Sequence, residues 1–232
     1  MTDTRAHLRG LYPFLHGDRK DAASESNALV ESVRQKAQHS ASVAAAFFDT
    51  NAAVVVDAAR AIASVYRASG KMLAMGNGGS SCDAAHFAVE FLHPITTGRP
   101  SLSALNLVMD AAMMSAVGND VGIQHVFRRQ VEAHGRAGDG LIGFSTSGNS
   151  ANLVAAFRKA KEMGLVTVGL CGGDGGEMKK NDLLDHCLVV ETDSVHRVQE
   201  VHVIVYHLLW DLTHTLLADD RGGPLAPIGG RQ

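Results

Sequence analysis

Apolar positions along the chain change period near residue 70. From Ser26 to Phe48, Leu29, Val30, Val33, Ala37 and Ala44 fall at helical spacing, which predicts an amphipathic helix. Asn51 is placed to cap a second helix over 51–69, closed by Gly70, and the two N-terminal helices are expected to pack partly on the domain and partly on another subunit, as oligomerisation elements. Beyond Gly70 short, continuously apolar runs alternate with helical stretches. KMLAMG (71–76), LSALNL (102–107), DGLIGFS (139–145), LVTVGLCG (165–172) and HCLVVE (186–191) are the expected strands. Helices are expected over 80–92, 110–118, 121–135, 151–164 and from Ser194 to about Leu217. Strands that are apolar throughout are covered on both faces, and their alternation with helices predicts a doubly wound α/β fold with a five-stranded parallel sheet. Residues 1–25 form an N-terminal arm, 26–218 a single domain, and the Gly/Pro-rich 219–232 a flexible tail.

Composition narrows the setting. The 232 residues are 46% hydrophobic and 19% charged, enough chain for one domain to bury its own core. A formal net charge of −3 leaves no basic footprint for nucleic acid or an anionic membrane surface. Cys82, Cys171 and Cys187 are scattered and odd in number, which argues against a disulfide framework and for a reducing, cytoplasmic setting. No signal peptide and no membrane-spanning apolar run is evident.

Candidate chemistry gathers at two strand ends. Gly76-Asn77-Gly78-Gly79-Ser80-Ser81 and Ser145-Thr146-Ser147-Gly148-Asn149-Ser150 each lead from a strand into a helix. There, free backbone N–H groups, the positive end of a helix dipole and clustered hydroxyls make a phosphate cradle that needs no lysine. A dinucleotide fits less well: Ser81 stands where the third glycine of a G-x-G-x-x-G turn belongs, and Asp110 comes too late for the ribose. The competing structural explanation for STSGNS is an ordinary N-capped helix start. His86 and Glu90, at i and i+4, share one helix face. A lone histidine there would pass as a core residue, but a glutamate between Val89 and Phe91 is costly to bury without a partner or a metal. Gln199 and His207 lie eight residues apart on the last helix, about 12 Å along its axis, so sharing one centre demands extended side chains.

GNGGS, the following H-x-x-x-E, GND at 118–120, STSGNS, and R-V-Q-E-V-H-x-x-x-x-H at 197–207 together resemble the sugar isomerase (SIS) domain, and within it the phosphoheptose isomerase family. The likeness runs from about Val30 to Leu217. It implies conversion of sedoheptulose 7-phosphate to D-glycero-D-manno-heptose 7-phosphate through an enediol, in a homotetramer with sites at subunit interfaces. Glu90 would be the base at carbon and His207 the acid/base at oxygen. Zinc would be held by His86, Glu90, Gln199 and His207, and no nucleotide is implied. Asn77, Gly78, Gly79, Ser80, Glu90, Gln199, Asn119 and Asp120 would contact the sugar phosphate, with Ser145, Thr146, Ser147 and Ser150 around its phosphate. The chain departs from the family pattern at Val89, Pro94 and His196, which bears on the sugar. A SIS isomerase of another sugar phosphate and a non-catalytic SIS protein, similar to the initiator-associating protein of DnaA, are the alternatives; a binding module has no need of the four-residue set.

Overall fold

The structure, a computed structural model, describes residues 22–180 and 182–219, so the expected arm and tail lie almost wholly outside the described residues. The first helix, α1 (Ala22–Arg67), is continuous over 46 residues. This corrects the expected pair of helices: Asn51 caps nothing and donates its side-chain amide to the Phe47 carbonyl one turn back, at 3.0 Å. Residues up to Ala41 form one compact unit and Ser42 onward another. In the first, Leu29 and Val33 are exposed on one helix face. Within Ser26–Arg67 a window of mean hydropathy 1.3 is apolar enough, by length and composition, to cross a membrane, against the expectation of no such run. In the second unit, however, that helix packs Phe47, Val55, Ala58 and Ile62 into the protein core.

The C-terminal stop of α1 is a Schellman turn. Ser69, at φ 61°, takes the left-handed position, and Gly70 N–H bonds Val65 O at 2.9 Å. Gly70 is needed for another reason than the one its sequence position suggests: a Cβ there would meet the Gly138 carbonyl at 2.8 Å.

The remaining elements are β1 (Met72–Gly76), α2 (Gly79–Leu92), β2 (Ala104–Asn106), α3 (Ala111–Asp120), a 3₁₀ turn at Ile123–His125, α4 (Val126–His134), β3 (Gly140–Ser145), α5 (Ala151–Glu162), β4 (Val166–Gly172), the short α6 (Gly176–Lys180), β5 (His186–Val190) and α7 (Val195–Asp219). All strand pairs are parallel, in the order β2-β1-β3-β4-β5. Alternate residues of each strand feed two cores. Met72, Ala74, Ile142 and Phe144 meet α1, α2 and α7 through Ile62, Phe87, Phe91 and Val205. Leu73, Met75 and Leu141 meet α4 and α5 through Phe127, Leu153 and Phe157. Because β1 is followed by β2 on one side and neighboured by β3 on the other, the chain reverses its winding direction between β1 and β3. Ligands in open parallel sheets bind outside the carboxyl ends at such a point.

Candidate active site

Both loops predicted to cradle phosphate sit at that point: β1 and β3 are paired, Gly76 opposite Phe144. Gly78 precedes α2 at φ 52°, ψ −124°, a conformation suited to glycine. The loops are tied by a reciprocal amide pair: Asn77 and Asn152 each donate to the other's oxygen at 2.9 Å. The Asn77 side chain, expected on substrate, is thus engaged in holding the loops together. In the second loop the Ser145 and Ser150 hydroxyls are 3.0 Å apart, and Gly148 N–H donates to Ser145 Oγ at 3.1 Å. Ser150 occupies the N-cap of α5 but makes no side-chain capping bond, so routine helix capping does not account for its hydroxyl. Ser147 Oγ accepts from Asn149 N at 3.2 Å, and Ser80 is buried at the start of α2. Thr146 and Ser147 also line a cleft of about 820 Å³ that continues along Gly172, Asp174, Lys179 and Asp193.

Helices α2 and α7 pack side by side and run in the same direction. Gln199 lies against Gly79, Tyr206 against His86, Trp210 against Glu90 and His214 against Phe91. This ladder brings His207 to His86 and Glu90. The His86 and His207 rings are 5.0 Å apart, His86 Nε2 is 3.0 Å from Glu90 Oε1, and one ligating atom from each of the three lies within 4.8 Å of the others. Two imidazoles and a carboxylate so placed are a donor set that can hold a metal ion and leave a position open. Burial, then the neighbouring His86, lower the His207 pKa, while Glu90 raises it; the net direction favours the neutral ring that accepts a proton or binds a metal.

Gln199, the fourth expected ligand, lies nearer the start of α2. Its amide packs on Gly79 at the first residue of α2, seven residues and about 10 Å along the axis from His86. Of the four expected ligands, His86, Glu90 and His207 come together, and the Gln199 amide stands beside the first turn of α2. Asn119 and Asp120 stand at the end of α3, exposed and bonded to each other at 2.8 Å.

Two side chains at the site carried no signal in the motif reading. Tyr206, buried on α7, places its hydroxyl 2.7 Å from His86 Nδ1, fixing the ring whichever nitrogen bears the proton. Burial, then Asp83 and Glu90, raise its pKa. Asp83, buried three residues before His86, has one carboxylate oxygen without a partner; burial pushes its pKa up to about 6, against the pull of His86. The i, i+3 spacing to His86 was the available clue for Asp83. His202, between Gln199 and His207, is fully buried and bonds the Cys171 carbonyl at 3.3 Å, away from the cluster.

A parallel sheet with two hydroxyl-rich loops at its switch point and a His/Glu/His cluster beside them defines a sugar-phosphate-binding α/β protein. The sequence pattern of the SIS domain matches residues 37–172. The phosphoheptose isomerase of Nitratidesulfovibrio vulgaris (strain Miyazaki F) is 42% identical over 188 residues, 81% of this chain and 89% of that protein. That of Roseiflexus sp. is 39% identical over 85% of this chain and 99% of its own length. The solved phosphoheptose isomerase of Neisseria gonorrhoeae superposes with a TM-score of 0.74 at 37% identity, covering 80% of this chain and 98% of that one. The chain belongs to the SIS domain family, among its phosphoheptose isomerases.

Proposed function

We propose that the protein is an aldose–ketose isomerase that converts sedoheptulose 7-phosphate to D-glycero-D-manno-heptose 7-phosphate. The observation that carries this reading is the joint placement of His86, Glu90 and His207 beside a phosphate cradle, in a chain whose relatives are named phosphoheptose isomerases. Moving a proton between C1 and C2 through an enediol needs a base at carbon and an acid/base at oxygen. Glu90, held by His86 and one helix away from His207, is the base. His207, its pKa lowered by burial, exchanges the oxygen proton. Ser145, Thr146, Ser147 and Ser150, with the backbone of Gly78 and Gly79, anchor the phosphate, and that remote binding energy positions the reacting carbons; Ser80, expected among them, already gives its backbone N–H to Asn77 O at 3.0 Å. Gln199, beside Gly79, belongs to the substrate-binding set, with Asn119 and Asp120 reading sugar hydroxyls.

His86, Glu90 and His207 are the residues that hold zinc in this reading. Bound there, zinc supplies a Lewis acid for the sugar carbonyl. Exposed Val89 and Leu92 on α2 and Ile204 and Leu208 on α7 flank the cluster; in this reading subunits of a homotetramer cover them and complete the site. The three cysteines are free thiols, in keeping with a reducing cytoplasm. No membrane or nucleic-acid partner enters the reading.

The test is exchange of the C1 or C2 hydrogen with solvent deuterium, followed by NMR. The parent exchanges with sedoheptulose 7-phosphate, and Glu90→Gln loses exchange by at least the ~10²-fold of a missing general base. Exchange by Glu90→Gln at the parental rate removes Glu90 from the proton-transfer role. A parent that exchanges no ketose phosphate is a non-catalytic SIS protein.

A further inference from the structure

The helix that carries Glu90 ends in an unusual way. An α-helical carbonyl is normally taken by the amide four residues on, but four residues after Glu90 stands Pro94, which has no N–H. Its neighbours find backbone partners: Val89 O accepts from His93 N and Phe91 O from Leu102 N, both at 2.8 Å. Glu90 O accepts instead from the indole Nε1–H of Trp210 on α7, at 2.8 Å. Trp210 is the sole tryptophan of the chain and is itself held in place. The Arg99 guanidinium lies over its ring, 4.2 Å from the centroid, and is ion-paired to Asp211, the next residue on α7. Arg99 Nη1 is buried without a hydrogen-bond partner, so stacking on the indole and the single arm to Asp211 are what hold the guanidinium. The His214 ring meets the indole edge-on at 5.3 Å.

We propose that Trp210, clamped by Arg99 and Asp211, is a positioning residue for Glu90. The inference rests on the reading of Glu90 as the base at carbon. The bond is made to the backbone of Glu90 itself, so it fixes the Cα from which the carboxylate reaches His86 and His207. Without it the last turn of α2 carries a free carbonyl in a half-buried place and frays. Because Arg99 sits on the loop that follows α2, the same clamp closes that loop back onto α7. A misplacement of about 1 Å at a reacting group is enough to cost ~10²-fold in rate, so a donor at this point acts on turnover rather than on binding.

The experiment compares Trp210→Phe, Arg99→Lys and Glu90→Gln in the full chain, measuring kcat and KM for sedoheptulose 7-phosphate alongside thermal stability. Trp210→Phe keeps an aromatic ring under Arg99 but loses the N–H donor and part of the indole's bulk, which the thermal melt reads separately from kcat. The expected result is a kcat lower by about ten-fold, with KM within two-fold of the parent. Arg99→Lys keeps the charge for Asp211 but not the flat stack; it lowers kcat and shifts the fluorescence of Trp210, which as the sole tryptophan reports on its own ring. A lowered melting temperature with parental kcat in both variants overturns the proposal and leaves a stability role. If Trp210→Phe does not fold, the kcat and emission of Arg99→Lys decide alone. Loss of turnover in Glu90→Gln with parental kcat in the clamp variants refutes only the clamp. Parental turnover in Glu90→Gln refutes the underlying reading, and the clamp inference falls with it.

Discussion

Replacing Gly79 by alanine separates the stability of this site from its function. Gly79 is the first residue of α2 and is not among the glycines with positive φ, so its backbone accepts an L-residue without strain. Inside a helix alanine is favoured over glycine by up to ~1 kcal/mol. The new methyl, however, would stand 3.2 Å from Gln199 Cδ and closer still to Nε2. Restoring an ordinary contact of ~3.5 Å drives the amide back by roughly 1 Å or more. The displaced atoms are the far end of a flexible side chain, so the fold adjusts at little cost while Gln199 leaves its place beside the phosphate loops. The expected outcome is a melting temperature equal to the parent's or a few degrees higher, with kcat/KM lower by about 10- to 100-fold. Isomerisation followed by NMR and a thermal melt give both numbers on one preparation. Parental kcat/KM in a folded Gly79→Ala protein would refute the assignment of Gln199 to the substrate. A large loss of stability would show that the amide has nowhere to go.

Ser147→Ala and Ser150→Ala are each expected to raise the KM for the sugar phosphate about ten-fold or more, the worth of a hydrogen bond to a charged group. Their melting temperatures should stay close to the parent's, since Ser150 makes no capping bond; unchanged KM with a lower melt would assign the hydroxyls to the fold. His202 provides a test against pH. Burial pushes its pKa down to about 4, against the hydrogen bond to Cys171 O that raises it, whereas the unfolded chain binds the proton near ~6.5. Between those values the unfolded state holds more protons, so this contribution is present above pH 6.5 and is lost as pH falls towards 4, by ~3 kcal/mol in all. Denaturant unfolding of the parent should therefore lose that much more stability from pH 7 to 4 than His202→Asn. The comparison cancels the opposite trend of Asp83, whose raised pKa favours the folded state at low pH. Equal slopes in the two proteins would show that another group titrates.

What the sequence disclosed follows from how local each feature is. Strands β1, β3, β4 and β5 lie within about a residue of their predicted bounds, because an apolar run covered on both faces is visible without knowing its neighbours. The edge strand β2 shrinks to Ala104–Asn106, the three residues that pair with β1. Helix α6, five residues long and opening on the second glycine of Gly175-Gly176, is too short to show a period. The break expected at Asn51 failed because an asparagine side chain serves a mid-helix carbonyl as readily as a helix start. At the site, the i, i+4 pairing of His86 with Glu90 was local and therefore legible. The approach of His207 depends on how α7 lies against α2, and no spacing within α7 encodes it. The axial separation of Gln199 from His207 was legible as a difficulty. The placement of Gln199 beside Gly79 needed the packing, as did the roles of Tyr206 and Trp210.

The parallel alignment of α2 and α7 makes the helix pair a ruler. One mark is the proposed phosphate cradle at the level of Gly79 and Gln199; the other is the His86–Glu90–His207 group, whose first member on α2 is seven residues on, about 10 Å along the axis. An extended chain of single bonds advances about 1.2 Å per bond. From C2 to the phosphorus of a 7-phosphate there are roughly seven bonds, or ~8 Å on that scale, and a sugar two carbons shorter gives only ~6 Å. In the proposed reaction, selection is then by length before it is by stereochemistry: seated by its phosphate, a longer ketose phosphate carries C2 further towards Glu90 than a shorter one does. A sugar two carbons shorter falls about 2 Å short on that scale, a shortfall that substitutions at the hydroxyl-reading positions do not make up.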